Sequence, residues 1–324
     1  MFGSGDGGAS GLPTECYPPE NPLLGNQNGK NYTEPMTGNF AWPWVSPWVT
    51  VVGGTQFLAT ADNPQAQVVC SGATKGGITS GGGFAGPTFP SDLFSRPAYQ
   101  EKAVQRYLAE NNASTFAGFP TKDTPGWNPN GRAFPDIAAY AGEWPILAPN
   151  GKLVHVAGTS LAAPMAAAIF SLANQVLLRD GYQLIGYANP MIYWMGENCR
   201  EAFFDVTEGN NQAAAVGKPN SGEDSGEAQI CLHGFPAAPG WDAATGMGSI
   251  NFGSFVQCAK RYQDEVRNKG LEVLPDGSYR AAPVSTAVPS STPSPGPEER
   301  PETLAVALLV SVPVWLASLY LMAV

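Results

Sequence analysis

The order of apolar and polar positions along the chain predicts strands that alternate with helices. Two short runs rich in β-branched residues, Trp48–Val52 and Leu153–Val156, are each followed closely by glycine, so both are predicted as buried strands. Residues 98–110 show helical spacing, and the Ala/Leu-rich residues 160–180 form a second predicted helix that ends before Gly181. Strands alternating with helices favour an α/β fold built on a parallel sheet.

The composition changes after about residue 275, and this change divides the chain into three parts. Residues 1–275 are predicted to form one domain, 276–303 a Pro/Ser/Thr-rich linker, and 304–324 an apolar tail without charges. The tail is long enough to cross a hydrocarbon core of about 30 Å as a helix.

The end of the chain resembles a lipid-anchor signal. No basic residue follows the tail, and the small residues Ser290–Thr292 precede a polar spacer, as in a glycosylphosphatidylinositol signal. Three interpretations stay open: an anchor signal, a retained transmembrane helix, and an artefact of the gene model. The first two predict that the protein is tethered to a membrane through its carboxy terminus.

The charge of the chain argues against nucleic acid as a partner. Only 14% of the residues are charged, and 17 Lys and Arg against 27 Asp and Glu give a net charge of −10. Such a surface offers no basic face that could neutralise phosphates.

The cysteines and glycosylation triplets predict a secreted, extracellular protein. Two sequons begin at Asn31 and Asn112, and the cysteines show no zinc-site spacing, so structural disulfides are expected. Their pairing is left open, and the odd count leaves at least one thiol over. Residues 1–8 do not have the pattern of a signal peptide, so we expect that an upstream segment is missing. The five cysteines are Cys16, Cys70, Cys199, Cys231 and Cys258.

The segment Val156–Pro164 carries the strongest candidate for chemistry. It runs from a predicted strand through Gly158 into a helix of small residues, which places Ser160 at a helix N-terminus. Free backbone N–H groups and the positive end of the helix dipole would favour an oxyanion that forms beside this hydroxyl. Alternatively, Thr159 or Ser160 only caps the helix.

The motif Gly-Thr-Ser-x-x-x-Pro at residues 158–164 resembles the serine segment of the subtilisin-like peptidases. The chain has no His-Gly-Thr-His motif, and its two histidines, His155 and His233, do not fit a general base; we interpret His155 as structural. A serine hydrolase without such a histidine needs a carboxylate base, which works best in acid. This is the chemistry of the sedolisin family, to which the chain is similar.

Further segments resemble sedolisins in the order in which the family has them. The segment Gly3–Ala9 is similar to the family's Ser-Gly-Asp-x-Gly segment, which implies that Asp6 stabilises the oxyanion. A protonated carboxyl would serve this role, because it can donate a hydrogen bond. The other similar segments are 47–55, 80–84, 96–100 and 131–137.

The resemblance also implies one calcium ion. The segments 204–209 and 240–248 are similar to the family's calcium-binding segments. They imply carboxylate ligands from Asp205 and Asp242 and backbone carbonyl ligands from Val206, Ala238 and Gly240, an all-oxygen set that suits Ca²⁺. The alternative is two aspartates in ordinary glycine-rich turns.

Taken together, the resemblance implies an amino-terminally truncated, monomeric serine peptidase that acts on peptides or proteins at acidic pH. The family's Glu-x-x-x-Asp helix should lie well before the oxyanion aspartate, and only five residues precede Asp6. The general base is therefore expected outside this sequence. Two other hypotheses are a catalytically inactive surface glycoprotein that keeps the fold, and a histidine-dependent subtilisin whose histidine lies upstream.

Overall fold

The computed structural model describes residues 1–10, 43–58, 66–85, 95–111, 128–213, 234–273 and 279–281. All of these lie in one compact unit, Met1–Ala282, whereas the second unit, Pro283–Val324, lies outside the described residues. Both sequons and the apolar tail also lie outside them. Three residues that the composition assigned to the linker, Tyr279–Ala281, form a short strand that pairs with Leu271–Val273.

A mainly parallel sheet of six strands forms the centre of the compact unit. In spatial order β1, β2, β6 and β10 run parallel to their neighbours, whereas β9 at the far edge and β3, which pairs with β2, run antiparallel. Pairs of β4 with β5, β7 with β8 and β11 with β12 form three smaller sheets. The strands are β1 (Phe2–Gly3), β2 (Val51–Leu58), β3 (Ala66–Val69), β4 (Gly83–Phe84), β5 (Ala133–Phe134), β6 (Ile137–Tyr140), β7 (Trp144–Leu147), β8 (Leu153–Val156), β9 (Phe203–Phe204), β10 (Ser249–Ile250), β11 (Leu271–Val273) and β12 (Tyr279–Ala281).

Helices flank this sheet, and each buries part of its surface. The described helices are α1 (Glu101–Glu110), α2 (Thr159–Arg179), α3 (Asn189–Asn198) and α4 (Phe252–Asn268). In α2 the residues Ala162, Ala166, Ala173 and Leu177 are buried at helical spacing. The small side chains of the three alanines let the helix approach β1, β2 and β6 closely. The predicted α/β class, with a mainly parallel sheet and flanking helices, is confirmed.

One predicted strand is present but is not buried. Leu153–Val156 forms β8, yet its first three residues are exposed, because the strand that β8 pairs with in the described part of the chain is β7, in a hairpin outside the central sheet. The prediction of a buried strand was therefore wrong here. In the other run, Trp48 is exposed in a turn, and the buried strand begins at Val51.

A fully buried ion pair anchors the beginning of β2. Arg132 Nη2 lies 2.7 Å from Asp136 Oδ2, and both side chains are completely excluded from solvent. The same oxygen accepts a 2.8 Å hydrogen bond from the backbone N–H of Val51, while Oδ1 accepts from Gln100 and Tyr193. Burial alone would lower the pKa of Arg132, but the adjacent Asp136 carboxylate outweighs it and raises this pKa.

A disulfide joins the end of α3 to α4. Cys199 and Cys258 are bonded, with their Cα atoms 5.9 Å apart, which confirms the expectation of structural disulfides. Cys70, which directly follows β3, is a buried free thiol, and burial raises its pKa to about 12. Cys16 and Cys231 lie outside the described residues.

Among the described residues, one helix is long and apolar enough to cross a membrane by length and composition alone. It is α2, Thr159–Arg179, whose buried stripe packs on the central sheet. A core helix of a water-soluble domain passes the same test, so this finding does not test the prediction for residues 304–324.

Candidate active site and calcium loop

Ser160 is the second residue of α2, and its side chain is exposed to solvent. Gly158 precedes the helix, and the backbone N–H groups of Leu161 and Ala162 turn back to its carbonyl oxygen at 3.0 and 3.4 Å. Pro164 lies four residues further on and offers no N–H to the Ser160 carbonyl. The hydroxyl therefore stands at the positive end of the helix dipole, where developing negative charge is favoured.

Asp6 lies against the same helix terminus, although 153 residues separate it from Thr159 in the sequence. Its Oδ1 atom accepts two hydrogen bonds of 2.8 Å, one from the backbone N–H of Thr159 and one from the Thr159 hydroxyl. The Gly5 N–H donates to that hydroxyl at 3.1 Å. The structure thus brings the two predicted catalytic residues to one point, with Thr159 between them.

Gly158 leaves space beside the second oxygen of Asp6. A Cβ atom on Gly158 would lie 3.3 Å from Asp6 Oδ2, so a larger residue would crowd this oxygen. Burial raises the pKa of Asp6, and the two bonds from Thr159 oppose part of the rise. Because the folded-state pKa is raised, protonated Asp6 favours the fold in acid, and this contribution is lost as the pH rises through the folded pKa.

No general base lies beside Ser160 in the part of the chain that the structure describes. The Ser160 hydroxyl makes no hydrogen bond there to a carboxylate or an imidazole. His155 is exposed on β8 opposite Pro145, and His233 lies outside the described residues. The described residues therefore hold the predicted nucleophile and the predicted oxyanion carboxyl, but no carboxylate or imidazole hydrogen-bonded to the Ser160 hydroxyl.

The glycine run 81–83 packs between the segment 4–6 and the loop that contains Asp242. A Cβ on Gly81 would lie 2.1 Å from the Ser4 carbonyl oxygen, and one on Gly82 would lie 1.9 Å from that of Ala243. Ser80 binds the same loop, because its hydroxyl donates to the Ala244 carbonyl at 2.7 Å. These positions are closely packed backbone and not a flexible loop.

Asp242 is completely buried and is surrounded by neutral donors. Its Oδ1 accepts from the N–H groups of Ala244 and Thr245 at 2.9 and 2.7 Å, while Oδ2 has longer contacts with Ala238 N and Thr245 Oγ1 at 3.3 and 3.0 Å. Burial raises the pKa of Asp242 to about 7, against the lowering effect of these hydrogen bonds. None of these partners carries a positive charge.

The other predicted calcium ligands lie on two segments that contact each other, 205–206 and 238–240. The exposed Asp205 accepts a 2.8 Å hydrogen bond at Oδ2 from the Gly240 N–H, and Ala238 contacts Asp242 as described above. Val206, next to Asp205, is buried. Two carboxylates and nearby carbonyls are hard oxygen donors, and the buried negative charge has no cationic partner among its contacts, so these residues fit a calcium ion.

Sequence reasoning missed Asn211, which ties the two regions together. This buried side chain donates to the carbonyl oxygens of Gly82 and Ala243 at 3.3 and 3.2 Å, and accepts from Phe235 N at 2.7 Å. Its own carbonyl accepts from the Ala9 N–H at 2.9 Å, three residues after Asp6. No local motif marks this asparagine, because all of its partners are distant in sequence.

A second cluster of ligand-type atoms does not qualify as a metal site. Within the described residues, Cys199, Glu201 and Cys258 bring their ligand atoms within 4.8 Å of one another. The two sulfurs are bonded to each other, so they are not available as thiolate ligands.

Comparison with known proteins identifies relatives of this chain. It is 32% identical over 252 residues to a probable tripeptidyl-peptidase of Trichophyton verrucosum, covering 78% of this chain and 34% of that protein. It is 30% identical over 257 residues to tripeptidyl-peptidase 1 of Homo sapiens, covering 79% and 36% respectively. The chain thus spans about a third of the length of these relatives. No protein-family profile matches it.

A solved structure shares similarity over most of the chain. Pseudomonas sedolisin, a serine-carboxyl proteinase complexed with two molecules of pseudo-iodotyrostatin, is 22% identical with a TM-score of 0.46, covering 83% of this chain and 55% of that one. On the strength of the tripeptidyl-peptidase relatives, the chain belongs to the sedolisin family of serine-carboxyl peptidases.

Proposed function

We propose that this chain supplies the nucleophile of a serine peptidase that hydrolyses peptide bonds of peptides or proteins in acid. One observation carries the proposal: Asp6 binds Thr159 through both the backbone N–H and the hydroxyl, and so lies beside Ser160 at the tip of α2. The tripeptidyl-peptidase relatives support peptide bonds as the substrate.

The proposed reaction passes through an acyl-enzyme. Ser160 Oγ attacks the carbonyl carbon, and its proton passes to a carboxylate that lies outside this sequence. The protonated Asp6 carboxyl donates a hydrogen bond to the oxyanion. The base then protonates the leaving amine, and water hydrolyses the ester on Ser160.

The two carboxyl groups together predict an acidic working range. The base must be ionised, which requires a pH near or above about 4.3 for an unperturbed glutamate. Asp6 must stay protonated, and burial helps because it raises the pKa of Asp6. The disulfide Cys199–Cys258 supports folding in an oxidising compartment, in keeping with a secreted protein.

Replacing Ser160 by alanine should abolish hydrolysis in the full-length protein that carries this sequence. We expect a loss of at least about 10⁴-fold in kcat, because no hydroxyl remains to form the ester. The matched control is Ser171→Ala, an exposed serine on the same helix, which should leave kcat unchanged. The measurement is peptide hydrolysis between pH 3 and 6. Equal activity of the Ser160→Ala variant and the unmodified protein would remove Ser160 from this role, and no activity in either would favour the inactive glycoprotein.

We also propose one bound calcium ion, held by Asp205 and Asp242 with carbonyls of Val206, Ala238 and Gly240. When bound, it would brace the loop beside the glycine run by neutralising the buried Asp242 charge. This chain's own residues hold the loop through Thr245 and Ala244, which bind the Asp242 carboxylate.

Calcium should stabilise the fold, and chelation should destabilise it. Calcium at about 100 times its Kd should add about 2.7 kcal/mol to the free energy of unfolding at 25 °C, measured by chemical denaturation. Asp242→Asn should remove this response, while Asp264→Asn, a change at a partly exposed aspartate of α4 that contacts Tyr182 and Arg267, should keep it. Calorimetric titration of the unmodified chain with calcium alone measures the heat of binding and provides a second readout. If calcium produces no heat and no stabilisation in the unmodified chain, the site is not a calcium site.

A further inference from the structure

The hairpin β7–β8 exposes an unusual amount of apolar surface. Within the described residues its strands pair only with each other, and Trp144, Leu147 and Leu153 have 45%, 73% and 65% of their surface exposed. Exposed apolar residues that lie together, and not singly, mark surfaces that bind something.

The register separates these side chains into two faces. Trp144 pairs with Val156 and Ile146 with Val154, so these four residues share one face. Leu147 and Leu153 form a pair on the opposite face. The hairpin therefore offers an internal comparison between two apolar faces.

The tryptophan face continues into the central sheet. Tyr140, the last residue of β6, lies 5.9 Å from Trp144 between ring centroids, and Phe57 stacks on Tyr140 at 5.6 Å. Phe57 is 56% exposed. We call Phe57, Tyr140, Trp144, Ile146 and Val154 the aromatic patch.

The aromatic patch lies at the same end of the sheet as Ser160. Phe57 and Tyr140 are at the carboxyl ends of parallel strands, where open α/β sheets bind their ligands. At the base of the hairpin, the Gly158 N–H donates a 2.9 Å hydrogen bond to the Ala141 carbonyl oxygen and so holds the two ends of the hairpin together. Four residues connect Val156 to Ser160, a span of at most about 14 Å, and the paired strand of Trp144 adds about 5 Å.

We propose that the aromatic patch binds apolar side chains of the peptide substrate, within about six residues of the bond that Ser160 attacks. Because the separation is at most about 20 Å, an extended peptide of about six residues is long enough to reach from Ser160 to the patch. The patch has no charged member, so its ligand is an apolar peptide segment. This inference rests on the proposed function for the position of the substrate, but binding can be measured without hydrolysis.

The test uses this chain with Ser160→Ala at pH 4.5. The probe is a fluorescein-labelled dodecapeptide in which leucine and phenylalanine alternate with glycine and serine, and the control peptide carries asparagine in place of leucine and phenylalanine. Fluorescence anisotropy should give a Kd at least about tenfold lower for the apolar probe. Adding Trp144→Ser should raise the Kd of that probe at least about tenfold, and Trp144→Leu should restore most of the affinity.

Leu147→Ser provides the matched control, because it removes a more exposed apolar side chain from the opposite face of the hairpin. It should leave the Kd within about twofold. An equal loss in the Leu147→Ser and Trp144→Ser variants, no loss in either, or no preference for the apolar probe would overturn the proposal. Patch-dependent binding together with a full-length protein that does not hydrolyse peptides would contradict the proposed function alone.

Discussion

Replacing Arg132 by methionine should destabilise the fold by about 3–5 kcal/mol, a large part of the 5–15 kcal/mol typical of a domain. The change leaves the Asp136 carboxylate buried without its positive partner, although Val51, Gln100 and Tyr193 still donate to it. Chemical denaturation measures the effect.

Two further variants separate the buried charge from the lost side chain. Arg132→Met with Asp136→Asn should recover part of the stability, because the unpaired charge is removed while an acceptor for Val51 remains. Arg179→Met removes a cation whose ion pair with Asp180 lies on the surface, and it should leave the unfolding curve unchanged. Similar effects of Arg132→Met and Arg179→Met would show that the buried pair does not anchor β2.

The second large effect is expected from Gly82→Ala. Its Cβ would lie 1.9 Å from the Ala243 carbonyl oxygen, which is backbone and cannot rotate away. We expect a loss of about 3 kcal/mol in the free energy of unfolding. Because Ala243 adjoins Asp242, the stabilisation by calcium should also be lost, which a calcium titration followed by chemical denaturation measures.

Gly253→Ala is the control for this substitution. Gly253 lies in α4 with open space where its Cβ would be, so alanine should be neutral or stabilise by up to about 1 kcal/mol. If Gly82→Ala proved as harmless as Gly253→Ala, the glycine run would not be packed as described.

The periodic elements of this fold could be predicted from the sequence. The helix over residues 98–110 is present as a short 3₁₀ turn followed by α1, and the helix over 160–180 is α2. Their apolar spacing reports directly on which face is buried. The exposure of β8 could not be predicted in this way, because a β-branched run does not reveal whether other elements cover the strand.

In the candidate site, too, local sequence patterns predicted some features, whereas contacts between distant residues could not be predicted from them. The Gly-Thr-Ser-x-x-x-Pro motif located Ser160 at a helix terminus, as the structure has it. The contact of Asp6 with Thr159 could be expected only through the family resemblance, since residues 153 positions apart meet by tertiary folding. Asn211 had no such help, and the burial of both Arg132 and Asp136 runs against the usual exposure of charged residues.

The free thiol of Cys70 can report local opening of the sheet through its reaction with an alkylating reagent. It is buried beside β3, contacts the carbonyl oxygens of Gly76 and Ile78 at 3.4 and 3.7 Å, and has a pKa raised to about 12. An alkylating reagent can reach it only when this region opens, and reacts with the ionised sulfur. The labelling rate of Cys70, followed by peptide mass mapping, therefore measures how often the region around Cys70 and Asp6 opens locally, without any substitution in the chain.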